Sequence, residues 1–256
     1  MRNYTRSSDK QPSTANVKCD STENLTLPMP EDYIFDDNYC KLITLSKIDS
    51  PYVMKFYSME VVDDGHLQIS IERPRGTSLD QLMIHGCPSY EVVREIIIKV
   101  LKGFLHLHKA GILHKNISMK NIHIEFSFPS FTPKITRFNL FRPQQESSIP
   151  FLNESTYIVP NIFYHRDYDI KSELWCIGML VYEILSAKFK PGTFTAENPL
   201  RNIEDIDYGI IPPCFQKFID ALIHQDRGER PESLQALITI LQNCMDEQGG
   251  SAYHMA

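Results

Sequence analysis

A polar segment between a long apolar helix and a pair of strands constrains this chain most strongly. The segment runs from His114 to Asn121 and reads H-K-N-I-S-M-K-N. Before it, apolar residues recur at helical spacing from Pro88 to His108, which predicts a buried helix. After it, residues 122–124 and 134–136 predict a pair of strands. A helix and two strands that lead into and out of one polar loop indicate a mixed fold in which that loop is the candidate site.

The spacing of residues in and after this loop resembles that of a protein kinase catalytic centre. In kinases, the loop H-R-D-L-x-x-x-N supplies a carboxylate that orients the substrate hydroxyl and an Asn that binds magnesium. A following D-F-G motif supplies the Asp that holds the metal ions. Here Asn116 stands at the first Asp, and the second motif runs from Arg137 to Asn139 as R-F-N. His114 and Asn121 are kept, so the frame matches while the charged groups differ.

The order of the other segments extends this resemblance over residues 31–245. Apolar residues recur every three to four positions between Glu31 and Asp49, which predicts an amphipathic helix. Val53 to Tyr57 and Leu67 to Ile71 predict two strands. The connector from Glu72 to Gly76 resembles the hinge between kinase lobes. We therefore predict an α+β fold of the bilobal protein kinase-like type, with a truncated N-lobe (a small β-sheet plus one helix) and a mainly helical C-lobe.

Four regions follow from this order. Residues 1–30 are polar and are predicted to form a partly disordered N-terminal segment, with a remnant N-lobe strand at residues 15–19. Residues 31–73 are assigned to the N-lobe and residues 74–245 to the C-lobe. Residues 246–256 are predicted to be a flexible tail.

The N-lobe lacks the residues that usually hold nucleotide phosphates. No G-x-G-x-x-G precedes the predicted helix, so the loop that covers the phosphates in kinases is missing. Lys18 is the only candidate phosphate ligand there, and the competing interpretation is a solvated lysine in a tail. Lys41, ten residues before Pro51, stands where a kinase carries the Glu that pairs with that lysine. Two facing lysines would repel each other.

These replacements predict that the chain is a pseudokinase and not an enzyme. At ~4 Å and an effective dielectric constant near 20, two unit charges interact by about 4 kcal/mol, so Arg137 would repel a dication by roughly twice that. We therefore expect no phosphoryl transfer, no resident cofactor and no metal. Weak ATP binding without a metal is compatible with Lys18 and Asn121. An active enzyme with unusual residues is the competing interpretation.

Three residues are expected to support the loop rather than to react. His114 opens it, and Glu173 stands where kinases place an acidic residue that holds the loop backbone. Arg230 usually pairs with a Glu that is replaced here by Asn161, so Arg230 needs another anchor.

Composition and charge exclude several other classes. A net charge of −6 without a Lys/Arg block disfavours nucleic acid as a partner. Residues 1–10 lack the apolar core of a signal peptide. The longest apolar run, Leu174 to Leu185, contains Glu183 and is too short to span a bilayer. Neither the six cysteines nor the histidines have zinc-site spacing. We expect a cytoplasmic protein without nucleic acid or membrane partners, monomeric when free.

Within the kinase fold, several segments are similar to the pseudokinase domain of the mixed lineage kinase domain-like family. They are S-P-Y-V-M-K-F-Y, L-H-K-N-I-S-M-K-N, P-K-I-T-R-F-N-L-F-R-P-Q and Y-D-I-K-S-E-L-W. That family carries a four-helix membrane-killing domain and a brace before this domain, for which the chain leaves no room. In this the chain resembles truncated poxvirus homologues. The resemblance implies a decoy in the host cytoplasm that sequesters the upstream receptor-interacting kinase and inhibits necroptosis.

A polar segment at the place of a kinase activation loop is the expected partner-binding face. Glu146 could imitate the charge of a phosphate. Phe163 and Tyr164 are large aromatics that either anchor an interface or pack on the central helix. The competing interpretation of the segment is a disordered polar loop. The predicted partner-binding residues are Gln144, Glu146, Ser147, Ser148, Phe163 and Tyr164.

Three functions of different class stay open on the sequence. The first is an inhibitory decoy for the upstream kinase, and the second is an allosteric scaffold that activates another signalling kinase. The third is an enzyme. The identity of the bound kinase would separate the first two.

Overall fold

The small lobe contains one three-stranded antiparallel sheet and one helix. In the computed structural model of this chain, the structure describes residues 22–28, 35–63, 66–86, 88–138, 157, 168–189 and 206–249. The small lobe consists of β1 (Thr22–Pro28), α1 (Phe35–Ser46), β2 (Phe56–Asp63) and β3 (His66–Glu72). The strand order is β1-β3-β2, so β3 is central. Leu42 and Leu45 of α1 and Ile69 and Ile71 of β3 are buried in the core.

Strand β1 lies in the N-terminal segment, at residues where the sequence analysis predicts no strand. Residues 22–28 pair with β3 along their whole length, from Thr22 opposite Glu72 to Pro28 opposite His66. The sequence T-E-N-L-T-L-P has only a weak strand pattern of its own. Pairing with β3, rather than intrinsic strand preference, therefore stabilises this strand. The strand predicted at residues 15–19 lies outside the described residues.

The predicted strand at residues 53–57 begins later than expected. β2 starts at Phe56, whereas Val53 forms an isolated bridge with Ile135 of the large lobe. Met54 N donates to Ile135 O at 3.0 Å, and Ile135 N donates to Tyr52 O at 2.9 Å. These two hydrogen bonds satisfy the backbone N–H and C=O of Ile135 on the outer edge of its sheet. The segment before β2 therefore ties the two lobes together.

The large lobe is mainly helical around a second small sheet. The sheet has the order β4-β5-β6 and is antiparallel. The elements of the large lobe are β4 (Thr77–Ser78), α2 (Leu79–Gly86), α3 (Tyr90–Lys109), a 3-10 turn (Met119–Asn121), β5 (Ile122–Ser127), β6 (Ser130–Ile135), α4 (Ile170–Phe189), α5 (Pro213–Leu222) and α6 (Leu234–Gly249). This architecture confirms the predicted α+β fold with a small N-lobe.

A glycine places the hinge against the large-lobe sheet. Gly76 has φ of 76°, and a Cβ atom there would lie 1.9 Å from the Ile124 carbonyl oxygen. Only glycine allows the chain to turn and approach this closely. Thr77 and Ser78 then pair with Ile124 and His123 as strand β4, so they begin a sheet contact before α2 starts.

The core of the large lobe lies around α3 and α4. The buried residues of α3 follow a helical stripe, whereas α4 is buried almost all round. Gly178 of α4 allows close packing, because a Cβ atom there would lie 2.7 Å from Ile223 Cγ2 and 2.9 Å from Leu222 Cβ. Helix α4 thereby packs closely against the end of α5.

Candidate functional site

The loop after α3 is held from below by a carboxylate. Glu173, near the start of α4, is 0% exposed. Its Oε1 accepts a hydrogen bond from His114 N at 3.0 Å, and its Oε2 accepts one from Lys115 N at 3.2 Å. Lys115 has φ of 60°, a conformation that non-glycine residues rarely adopt. The carboxylate therefore stabilises a strained turn in the loop.

Two side chains are further hydrogen-bond partners of the Glu173 carboxylate. His108 Nε2 lies 3.0 Å from Oε1, and the Tyr168 hydroxyl donates to Oε2 at 3.3 Å. Burial acts to raise the pKa of Glu173, but the hydrogen bond and charge of His108 and the backbone N–H of His114 lower that pKa overall. Glu173 is therefore ionised at neutral pH, and its partners offset the cost of burying the charge.

His114 is a buried, neutral connector between the loop and β6. Asn116 N donates to His114 Nδ1 at 3.1 Å, so Nδ1 carries no proton. Nε2 lies 2.9 Å from Thr136 O and is therefore the donor. Burial lowers the pKa of His114 despite the opposing charge of Glu173. The ring thus orients the loop as one fixed tautomer.

Aromatic rings connect the two lobes through this histidine. The Phe138 ring centroid lies 4.6 Å from that of His114 and 5.5 Å from that of Phe56 on β2. Phe104 of α3 packs at 6.0 Å on the other side of His114. The order of the rings from the small lobe is Phe56, Phe138, His114 and Phe104. These four stacked side chains, called the ring column below, position the R-F-N segment relative to the loop.

Asn116 and Arg137, which stand at the two kinase Asp positions, are in contact. Asn116 Nδ2 donates to the Arg137 carbonyl at 3.1 Å, a bond that an ionised carboxylate could not make. Asn121 Nδ2 donates to Asn116 O at 2.7 Å. Thr136 donates twice to Asn121 O, from N at 2.8 Å and from Oγ1 at 3.0 Å. Asn121, which like His114 is kept from the kinase motif, therefore lies at the centre of this network.

The Arg137 side chain is exposed. Its φ is 58°, again in the left-handed region. Burial is the main cause that lowers the pKa of His123 on β5, and the charge of Arg137 lowers that pKa further. Asp80 of α2 acts in the opposite direction. Arg137 and Asp80 therefore act on the charge of His123 in opposite directions.

An ion pair at the hinge was missed by sequence reasoning. Lys134 of β6 and Glu72 are both largely buried and form a salt bridge. The second carboxylate oxygen of Glu72 accepts from Lys55 N at 3.1 Å. A lysine between Pro133 and Ile135, at the buried end of β6, was the available signal, because a buried lysine requires a partner.

A second missed group lies on α4. The Tyr157 hydroxyl donates to Glu183 Oε2. Burial raises the pKa of Glu183 to about 8, Asp80 adds to the effect, and Lys120 opposes it. In the sequence, Glu183 served only to mark α4 as unsuited to a membrane. A single acid within an apolar helical run was the signal of a buried site.

Arg230 has the substitute anchors that the sequence called for. Its Nε donates to His224 O at 2.8 Å, and its Nη1 donates to Lys171 O at 3.0 Å. Lys171 Nζ in turn donates to Arg230 O at 2.5 Å. Backbone carbonyls thus take the place of the carboxylate that usually pairs with this arginine.

The structure brings together only part of the predicted site. His114, Asn116, Asn121, Arg137 and Glu173 meet around the loop, and Lys41 lies partly buried on α1. The predicted residues Lys18, Asn139, Gln144, Glu146, Ser147, Ser148, Phe163 and Tyr164 lie outside the described residues. Within the described ranges, no group of three His, Cys, Asp or Glu side chains could hold a metal ion. None of the helices in that part of the chain is long and apolar enough to cross a membrane.

A small sheet with one helix, a hinge, and a loop held by the central helix of a helical lobe together define a protein kinase fold. The family model of the protein kinase domain matches residues 40–241. The chain therefore belongs to the protein kinase domain family.

Curated relatives carry the names of protein kinases. The chain is 26% identical over 216 residues to the MAP kinase kinase MKK1/SSP32 of Saccharomyces cerevisiae, covering 73% of this chain and 41% of that protein. It is 23% identical over 216 residues to the human serine/threonine-protein kinase Nek5, covering 79% of this chain and 29% of that protein. The chain thus spans less than half the length of these relatives.

These comparisons contradict the prediction that the chain is a pseudokinase and not an enzyme. The matched relatives are named as kinases, including the serine/threonine-protein kinase RAD53 of Saccharomyces cerevisiae, which is 24% identical over 219 residues, covering 77% of this chain and 27% of that protein. The prediction treated Asn116 and Arg137 as decisive. Single side chains fix the local charge, whereas phosphoryl transfer depends largely on positioning of the nucleotide by the fold.

Proposed function

We propose that this kinase-family chain acts by binding another protein kinase, the receptor-interacting kinase upstream in necroptosis. In this proposal the chain is a viral decoy in the host cytoplasm, similar to poxvirus homologues of the mixed lineage kinase domain-like family. By occupying the kinase, it would keep the host's own executioner from being recruited and so inhibit necroptosis.

The observation that carries the proposal is the contrast around the loop. Glu173 and the ring column keep the loop and both lobes in the arrangement of a folded kinase domain. By contrast, the side-chain amide of Asn116 donates a hydrogen bond to the Arg137 backbone carbonyl. A partner that recognises the shape of a kinase domain would find that shape here, together with an altered cleft. This combination favours a role in binding.

The sequence resemblance names the partner. The similar segments include the loop from Leu113 to Asn121 and the start of α4, which are in contact through Glu173. The face expected to bind comprises Glu146, Phe163 and Tyr164, where a negative charge and two aromatic side chains supply the usual elements of an interface. Binding through this face would compete with the host pseudokinase.

Co-precipitation tests this directly. The tagged full chain is expressed in cells that contain the receptor-interacting kinase, and the bound kinase is quantified against the host pseudokinase. Phe163→Ala and Glu146→Lys should each reduce the bound kinase, whereas Lys217→Ala, an exposed change on α5, should not. No capture by the wild type, or equal capture by all four proteins, would contradict the proposal. A rise in the activity of the bound kinase would favour the allosteric scaffold.

Phosphoryl transfer is a second candidate, and the named relatives favour it. Asn121 is kept and fixed by Thr136, and the ring column is assembled. The purified chain would be incubated with radiolabelled ATP and magnesium or manganese, beside the Asn121→Ala variant. Incorporation that the variant loses would establish an enzyme, and equal signals from both proteins would assign the label to a contaminant.

A further inference from the structure

Glu72 is the last residue of β3, and its side chain joins three segments of the molecule. One of its carboxylate oxygens forms the ion pair with Lys134 on β6 of the large lobe. The other oxygen accepts a hydrogen bond from the Lys55 backbone N–H at 3.1 Å, one residue before β2 begins. The Glu72 N–H in turn donates to the Lys55 carbonyl at 2.8 Å. Glu72 therefore connects two strands of the small lobe to the sheet of the large lobe.

The residues just before Lys55 are bonded to the same strand of the large lobe. Met54 N donates to the Ile135 carbonyl, and Ile135 N donates to the Tyr52 carbonyl. Gly103 of α3 permits this close contact, because a Cβ atom there would lie 2.7 Å from Ile135 Cδ1 and 3.1 Å from the Tyr52 carbonyl oxygen. Residues 52–55 are therefore held between α3, β6 and Glu72, where the small lobe meets the large lobe.

The ion pair is largely withdrawn from water. The side chain of Lys134 is 9% exposed and that of Glu72 is 16% exposed. When the chain unfolds, water solvates both charges again, so a buried ion pair adds little to the free energy of unfolding. Rotation of one lobe against the other would separate the two charges while the fold still encloses them, and a buried charge without a partner is strongly unfavourable. The ion pair therefore opposes lobe rotation more strongly than it opposes unfolding.

We propose that Glu72, Lys134 and the backbone of residues 52–55 form an interlobe clamp, which holds the small lobe at one angle to the large lobe. The cleft between the lobes then has one width in the free protein, and loss of the ion pair allows that width to vary. The clamp needs neither a nucleotide nor a partner kinase, so it stands apart from the proposed decoy function.

Native-state hydrogen exchange of the full chain, resolved to single amides, tests the clamp. The amides of Met54 and Ile135 report on it, because their hydrogen bonds link the two lobes. The amides in the buried middle of α4 report on unfolding of the whole domain. Lys134→Met should leave Glu72 without its partner. Exchange at Met54 and Ile135 should then accelerate by about tenfold or more relative to exchange in α4.

A double variant separates the clamp from a purely structural ion pair. Glu72→Gln combined with Lys134→Met removes both charges, so no buried charge is left unpaired and the thermal unfolding temperature should stay close to that of wild type. The link between the lobes is nevertheless lost. The Met54 and Ile135 amides should therefore still exchange about tenfold faster than in wild type, with α4 unchanged.

The matched control is an ion pair that lies within the large lobe. Lys171 pairs with Glu232, and its side chain is 12% exposed, close to the value for Lys134. Glu232→Gln combined with Lys171→Met should leave the ratio of exchange rates between the two reporter amides and α4 as it is in wild type.

Three results would overturn the proposal. The first is wild-type exchange at Met54 and Ile135 in the double variant. The second is acceleration there by the same factor as in α4, which would make the pair a contributor to global stability only. The third is an equal change of the exchange ratio in the control. If Lys134→Met does not fold, the double variant alone decides.

Discussion

The two sides of the loop from His114 to Asn121 are built in different ways. On the C-lobe side, Glu173 is fully buried and accepts hydrogen bonds from two backbone N–H groups, with His108 as a further partner. On the cleft side, the Arg137 side chain is exposed. A buried ion is stable only with its partners in place, whereas an exposed cation is solvated. The frame of the loop therefore constrains residue types more strongly than the side facing a ligand.

The largest effect is expected on the buried side. Glu173→Ala would leave the His114 and Lys115 backbone N–H groups without their acceptor, and should lower the free energy of unfolding by roughly 3–5 kcal/mol. Urea denaturation measures this. Glu95→Ala is the matched control, because Glu95 is 53% exposed and pairs with Lys99 on the surface of α3. Its effect should stay within about 0.5 kcal/mol. Equal losses in both variants would remove the contrast between buried and exposed acids.

The ring column should contribute the next largest effect. Phe138→Ala removes the contacts with His114 and Phe56, and should lower the free energy of unfolding by about 2–3 kcal/mol, less than a fully buried Phe because the side chain is only partly buried. Phe126→Ala, at a side chain that is 61% exposed, should change it by about 0.5 kcal/mol or less. A smaller loss for Phe138 than for Phe126 would mean that the column does not join the lobes.

The buried acid Glu183 should make the free energy of unfolding depend on pH, which an exposed charge would not do. Its pKa is raised to about 8 by burial, so the folded protein holds a proton that the unfolded chain releases near the ordinary value of 4.5. The stability from this proton is complete below pH 4.5 and is lost as the pH rises toward 8. Glu183→Gln should flatten that fall and raise the free energy of unfolding at pH 8 by about 1–2 kcal/mol. Thermal unfolding between pH 5 and 8 measures it, and parallel curves for variant and wild type would contradict the prediction.

The smallest effect on stability is expected at the exposed side. Arg137→Asp should change the free energy of unfolding by about 0.5 kcal/mol or less. It should, however, raise the affinity for magnesium in the presence of ATP, because repulsion becomes attraction. Thermal shift with ATP, with and without magnesium, compares the variant with wild type. A magnesium-dependent shift that is larger in wild type would show that Arg137 does not face the metal position.

Local patterns predicted much of the fold. The stripe of apolar residues in α3 and the apolar run in α4 are properties of single segments, and both helices formed where they were expected. Strand β1 was missed because its seven residues are organised by pairing with β3 rather than by their own alternation.

The candidate site was predictable only in part. The positions of Asn116 and Arg137 follow from motif spacing, but their mutual hydrogen bond depends on how two segments meet in space. The Lys134–Glu72 pair joins residues 62 positions apart, and no local pattern specifies such a contact. Long-range pairing of polar groups is the part that sequence reasoning could not supply.

Native-state hydrogen exchange tests most directly whether the loop frame is independent of the cleft charges. The amides of His114 and Lys115, both bonded to Glu173, should exchange slowly in wild type, and their protection should be unchanged in Arg137→Asn. In Glu173→Gln, where the charge of the acceptor is lost, the protection of both amides should fall. Fast exchange of these amides in Arg137→Asn, or unchanged protection in Glu173→Gln, would contradict the account.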